Sequence, residues 1–269
     1  MKPKLWISVC LLLCVATSLA AHDLFLRPER FFVRENTRVR VRVLNGTFSS
    51  SDGAVARNRL RDLRMITPAG ATPLDTAAWL PKGDTSLLSL ETGEAGTYLV
   101  GASLLPRFIR LEAEKFNQYL TSDGVPDILE MRRRQGELDR PARERYSKHV
   151  KTLLQVGERR TAGFDQVLGY PVELVPLDNP YRLQVGGTLR VRALADGTPL
   201  PNQFIVSGGR TASGARIAQR GVRADSAGIA RIRIHTRGDW YVKFIYMVPV
   251  QEDTVDYESK WTTLTFGVR

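Results

Sequence analysis

The chain has 269 residues, 43% hydrophobic and 25% charged, with 39 Lys and Arg against 28 Asp and Glu for a formal net charge of +11. That length holds one large or two modest domains with real cores. The positive balance raises nucleic acid as a partner, but the arginines alternate along candidate strands, and no aromatic platform interleaves the dense basic patch at 131–160, so nucleic-acid binding is excluded.

Residues 1–20 read as a secretory signal peptide. Lys2 and Lys4 form a positive n-region, Trp6 to Val15 an apolar h-region, and Ala16 to Ala21 a small-residue cleavage site after Ala20 or Ala21. The apolar run is too short to span a bilayer. Both cysteines, Cys10 and Cys14, lie in the signal, and neither has the context of a lipid-anchored cysteine. The mature chain is therefore expected to be soluble, without a membrane anchor, periplasmic or secreted, and stabilised by its core rather than by disulfides.

Residues 21–105 read as an N-terminal β-sandwich. Thr37 to Val43 alternates strictly, as a strand with one wet face does, and Asn45-Gly46 marks a turn. Leu60 to Thr67, Thr85 to Leu90 and Gly96 to Gly101 add further strands. Residues 106–163 read as a helical bridge. Ala113, Phe116 and Leu120 recur at helical spacing, Pro126 opens a second helix, and Arg143 to Val156 gives a third, with Tyr146, Val150, Leu153 and Leu154 on one face. Residues 164–269 return to β, with strands predicted at Val172 to Val175, Thr188 to Leu194, Phe204 to Ser207, Gly221 to Ala224, Ala230 to Ile234, Trp240 to Tyr246 and Trp261 to Val268. The fold class is mainly β: two β-sandwich domains with a helical insertion between them.

Several segments carry a family resemblance: the opening Ala21-His22-Asp23-Leu24-Phe25-Leu26-Arg27-Pro28, Leu111 to Phe116, Glu144 to Lys148, Gly169 to Pro176, Asp178-Asn179-Pro180-Tyr181, Met247-Val248-Pro249 and Tyr257 to Phe266. The chain resembles an exported family of unknown function labelled NikM-like, after the substrate-specific component of nickel-uptake systems. The C-terminal block is similar to the transthyretin-like modules of carboxypeptidase regulatory domains. The resemblance implies Ig-like or transthyretin-like sandwiches and a link to nickel-type uptake. It also marks one departure, Tyr246 where the family pattern has a His.

Templates for catalysis are missing. There is no Gly-x-Ser-x-Gly elbow, no phosphate-binding Gly-rich loop, no His-Glu-x-x-His, and no thiol after the signal. Three histidines remain. His22 stands at or next to the mature N-terminus, where imidazole, free amine and amide nitrogens could wrap Cu(II) or Ni(II), with Asp23 adding an oxygen; the bland alternative is a frayed terminus. His149 is expected on a solvated basic helix and His235 at a surface strand end. Glu112 and Glu114 are expected to cap a helix start. Trp240, Tyr241, Tyr257 and Trp261 are expected to pack between strands.

The resulting expectation is a non-catalytic periplasmic binding or accessory protein for a divalent transition metal, nickel or copper. Its metal ligands would be His22 and Asp23, and its partner an envelope transporter or receptor protein. The alternative is an envelope scaffold or protein-interaction module.

Overall fold

The strict alternation of Arg38-Val39-Arg40-Val41-Arg42-Val43 becomes a strand with exposed arginines and buried valines. It is one of eighteen strands in the computed structural model, which describes residues 22–269. The segment expected to be a signal peptide, 1–20, lies outside the described residues. In chain order the strands are β1 (Asp23–Pro28), β2 (Phe32–Val33), β3 (Arg38–Gly46), β4 (Leu60–Thr67), β5 (Gly70–Pro73), β6 (Trp79–Lys82), β7 (Thr85–Glu91), β8 (Gly96–Leu104) and β9 (Arg107–Leu111). Helices α1 (Ala113–Ser122) and α2 (Pro126–Gln135) follow. Then come β10 (Ala142–Val156), β11 (Val172–Pro176), β12 (Thr188–Ala195), β13 (Thr198–Pro199), β14 (Phe204–Thr211), β15 (Arg216–Arg223), β16 (Ile229–Arg233), β17 (Gly238–Glu252) and β18 (Val255–Val268). The fold is mainly β and of sandwich type, as expected.

The strands form three sheets. A ten-stranded sheet runs β15-β14-β17-β18-β10-β8-β4-β5, with β2 and β9 also paired to β10. A four-stranded sheet, β1-β3-β7-β6, covers one face of it, burying Leu24, Leu26, Val41, Val43 and Leu88 against Val100, Val150 and Leu154. The other four-stranded sheet, β11-β12-β13 with β16 on β12, covers the opposite face, burying Leu174, Val191 and Ile232 against Leu153, Phe244, Leu264 and Phe266. The ten-stranded sheet thus draws strands from all three segments of the sequence.

The expected third helix is a strand. Arg143 to Val156 lies within β10, which pairs parallel with β18 from Glu144 to Thr152. Spacing of four, as in Tyr146, Val150 and Leu154, puts residues on one face of a helix and also on one face of a strand. What hid the strand is that β10 is covered on both sides, so its alternation disappears, and its last ten residues are all buried. Residues 106–163 therefore supply two helices and two strands, and Arg132, Lys148 and Lys151 of the basic patch are buried rather than solvated.

The two expected helices form as read. Pro126 sits in the first turn of α2, and Gly136 closes it in the left-handed conformation with φ 67°. Glu112 occupies the position before α1, but its side chain makes no capping bond. The pair docks on the ten-stranded sheet, on the face shared with β1, through Phe116, Tyr119, Leu120 and Ile128 against Ile245, Tyr257 and Trp261. Arg132 anchors it by donating to the Glu137 and Arg140 carbonyls and to the Tyr257 hydroxyl (3.3 Å), over the Phe116 ring.

Candidate functional site

Among the described residues strand β1 has one strand neighbour, β3, in the register Asp23↔Gly46 to Pro28↔Val41. Its free edge would expose the carbonyls of alternate residues, and side chains from the ten-stranded sheet satisfy them. Lys148 Nζ donates to the His22 carbonyl, Thr263 Oγ1 to that of Leu24 (2.7 Å) and Thr265 Oγ1 to that of Leu26 (2.5 Å). The position of His22 and Asp23 is therefore fixed by three donors on β10 and β18.

Beside this anchored strand lies a cavity of about 430 Å³. Its wall joins His22, Asp23 and Phe25 of β1 and its approach to the loop after β3 (Thr47, Phe48, Ser49), the turn after α1 (Ser122, Asp123), and Gln219 and Tyr241. Phe25, Phe48 and Tyr241 form an aromatic floor, with centroids 5.0–5.2 Å apart, and Gln219 Nε2 donates to the Tyr241 hydroxyl at 2.8 Å. Gly124 (φ +82°) supplies the left-handed residue that turns the chain from α1 to α2. A Cβ there would stand 2.7 Å from Val206, so the turn that carries Asp123 is specific to glycine.

His22 is partly exposed, and its Nδ1 stands 3.4 Å from Asp52 Oδ2. Asp23 turns away from it: its carboxylate meets Lys243 Nζ at 2.5 Å, and Asp123 reaches the same amine at 3.0 Å. Lys243 is 1% exposed. Burial alone would lower its amine, but the two carboxylates outweigh burial and hold it above its usual value. Burial pushes the Asp23 carboxyl up, and nearby Asp123 adds to the rise while Lys243 opposes it. Burial is thus the main reason that Asp23 rises even though it is paired, and the second carboxylate on the same ammonium adds to it.

His22 and Asp23, read from the sequence as a ligand pair, both line this cavity, but their side chains meet different partners. The oxygen beside His22 belongs to Asp52, and Asp23 belongs to a buried carboxylate–ammonium–carboxylate group. Among the described residues no group of three or more His, Cys, Asp or Glu side chains is arranged to hold a metal ion. His22 and Asp52 offer one nitrogen and one oxygen, fewer protein donors than a closed metal site uses. Asp52 and Asp123 carried no sequence signal, since each meets its partner through tertiary folding. Lys243 did carry one, a single cation inside the apolar run from Trp240 to Tyr246.

The remaining histidines behave differently from each other. His149, expected on a solvated helix, is 1% exposed on β10, with Ser103 Oγ 2.9 Å from Nδ1 and Ser147 Oγ 2.9 Å from Nε2. Burial, with Arg61 and Lys260 adding, drops its pKa to about 3, so it is neutral and both nitrogens are occupied. His235 is exposed just past β16, edge-on to Trp240 at 5.1 Å, as expected of a surface strand end. Trp240, Tyr241, Tyr257 and Trp261 are buried packing residues.

The chain belongs to a protein family described as a domain of unknown function (DUF4198), whose model matches residues 19–248. No curated protein matches it. Among solved structures, it is similar at 9% identity and a TM-score of 0.24 to a protein from Corynebacterium diphtheriae described as membrane anchored, over 93% of this chain and 60% of that one. Among the described residues no helix is long and apolar enough to cross a membrane.

Proposed function

We propose that the protein is an exported, non-catalytic binding protein that captures a divalent transition metal, Cu(II) or Ni(II), at the cavity beside β1. One observation carries the reading: His22 lines that cavity, and the Asp52 carboxylate stands 3.4 Å from its Nδ1, next to a strand pinned by three side-chain donors. A pinned strand presents its ligand with little ordering cost. A borderline ion suits one imidazole and one carboxylate, and the set is completed by nitrogens of a processed N-terminus at His22 or Ala21. The likeness to nickel-uptake components and the transthyretin-like character of residues 164–269 belong to the same reading, as does a partner among envelope transporters or receptors. Secretion to the periplasm would supply the processed terminus.

Calorimetric titration of protein recovered from the periplasm, with its N-terminus sequenced, tests the reading. Wild type should bind Cu(II) or Ni(II); His22→Ala should lose most of that binding, and Asp52→Asn should weaken it. His149→Ala should bind as wild type. Acidification should weaken binding, because a ligating imidazole must be neutral. Equal binding by wild type and His22→Ala, or binding by neither, would leave the envelope scaffold as the better reading.

A further inference from the structure

A second cavity, about 270 Å³, lies between the end of β3, residues 54–59, the β8–β9 connection and β10. Its polar lining includes Asn45, Asn58, Arg59, Arg107, Tyr146 and Lys148, and no carboxylate lines it. We propose that this cavity is a binding site for a small oxyanion, gripped by the guanidinium groups of Arg59 and Arg107 and by the ammonium of Lys148.

Three observations support this assignment. First, none of the three cations forms an ion pair among the described residues; Arg59 donates to the Leu105 carbonyl (2.5 Å), and Lys148 donates to Asn45 Oδ1 (2.9 Å) and to the His22 carbonyl. Those two acceptors take two of the three protons of the Lys148 ammonium and leave the third for a ligand. Second, Lys148 is 5% exposed, with its ammonium 5.5 Å from the Tyr146 and Trp261 ring centres, so the protein has buried a cation with no adjacent anion to neutralise it. Third, the cations disfavour one another. Burial and then Arg107 lower the Arg59 guanidinium. A bound anion relieves all three at once, through two planar forks and one point charge. The volume fits phosphate, sulfate or a short dicarboxylate.

The test is calorimetric titration of the whole protein with sodium phosphate, sulfate and malonate at constant ionic strength. Arg107 is exposed, so Arg107→Ala should fold; it and Arg59→Ala should each weaken binding by about tenfold or more, the usual effect of losing one charged hydrogen-bond partner. Arg38→Ala, on the exposed face of β3, should change nothing. The ranking of the three probes tells an inorganic oxyanion from a carboxylate. His22→Ala should bind the anion as wild type, since only the His22 carbonyl is used, so failure here and failure of the metal reading are separate results. Binding of none of the probes at millimolar concentration, or binding that survives both arginine substitutions, overturns the proposal.

Discussion

Lys243 offers the sharpest test of how the site is held. It is buried between Asp23 and Asp123, at 2.5 and 3.0 Å, and its strand β17 lies beside β18 in the ten-stranded sheet. Lys243→Met keeps the length and most of the volume of the side chain while deleting the charge. Two carboxylates with little exposure, 11% and 19%, are then left facing each other. Removing one partner of a buried ion pair costs about 3–5 kcal/mol. A domain has only about 5–15 kcal/mol in total, so the loss should be obvious in urea unfolding followed by tryptophan fluorescence at pH 7. The sign of the pH dependence is the more specific part. A carboxyl whose folded pKa is raised contributes stability that is present below its unfolded value and lost as pH rises through its folded value. In the variant the opposing ammonium is gone and the Asp23 carboxyl rises further, so the deficit against wild type should shrink as pH falls towards 4. Adding Asp23→Asn should recover much of it at pH 7. A deficit under about 1 kcal/mol at pH 7, or one that grows on acidification, would refute the argument that charge, rather than packing, holds the turn after α1 to β1.

Further expectations follow from other buried groups. Glu144, 1% exposed, is raised by burial to about 7 despite bonds from Ser259 and Tyr119, so the stability it contributes is present below its unfolded value of 4.5 and lost as pH rises through about 7. Glu144→Gln should therefore be more stable than wild type at pH 8, by up to about 3 kcal/mol, and nearly equal to it at pH 4.5 in urea titrations. His149→Ala should cost about 2–3 kcal/mol in the same assay, because it opens a cavity and strands the Ser103 and Ser147 hydroxyls. Thr263→Val with Thr265→Val should uncover the Leu24 and Leu26 carbonyls, costing about 1–2 kcal/mol per site and speeding hydrogen exchange of the β1 amides.

What was readable in the sequence follows from which strands have a wet face. β3 and β12 alternate because one side meets water, and their arginines and valines announced them. β10 does not alternate, because both its sides are buried, and it carries charges that only tertiary partners explain. Lys151, for instance, is 1% exposed and paired with Glu173, itself 1% exposed, on the sheet above. Local pattern reports a residue's relation to solvent, and where solvent is absent from both faces it reports nothing. The same limit divided the site. His22 and Asp23 were visible through their place at the start of the folded chain, while Asp52 and Asp123 became neighbours only through folding. Asn179 has partners at both scales: its side chain accepts from the Tyr181 amide two residues on at 3.0 Å and donates to the distant Thr97 Oγ1 at 2.9 Å.

The place of β18 has a consequence for how the chain reaches this state. The last strand in sequence lies near the middle of the ten-stranded sheet, between β17 on one side and β10 on the other, bonded to β10 from Tyr257 to Thr265. Until it is in place, β15-β14-β17 and β10-β8-β4-β5 are two separate sheets, each with an open edge and an apolar face. Contacts between residues more than a hundred positions apart must then form late, a topology of high contact order that folds slowly and leaves its intermediates prone to edge-to-edge association. Refolding from denaturant should thus proceed in milliseconds to seconds or slower rather than microseconds, and a chain lacking β18 should aggregate instead of forming a smaller stable domain.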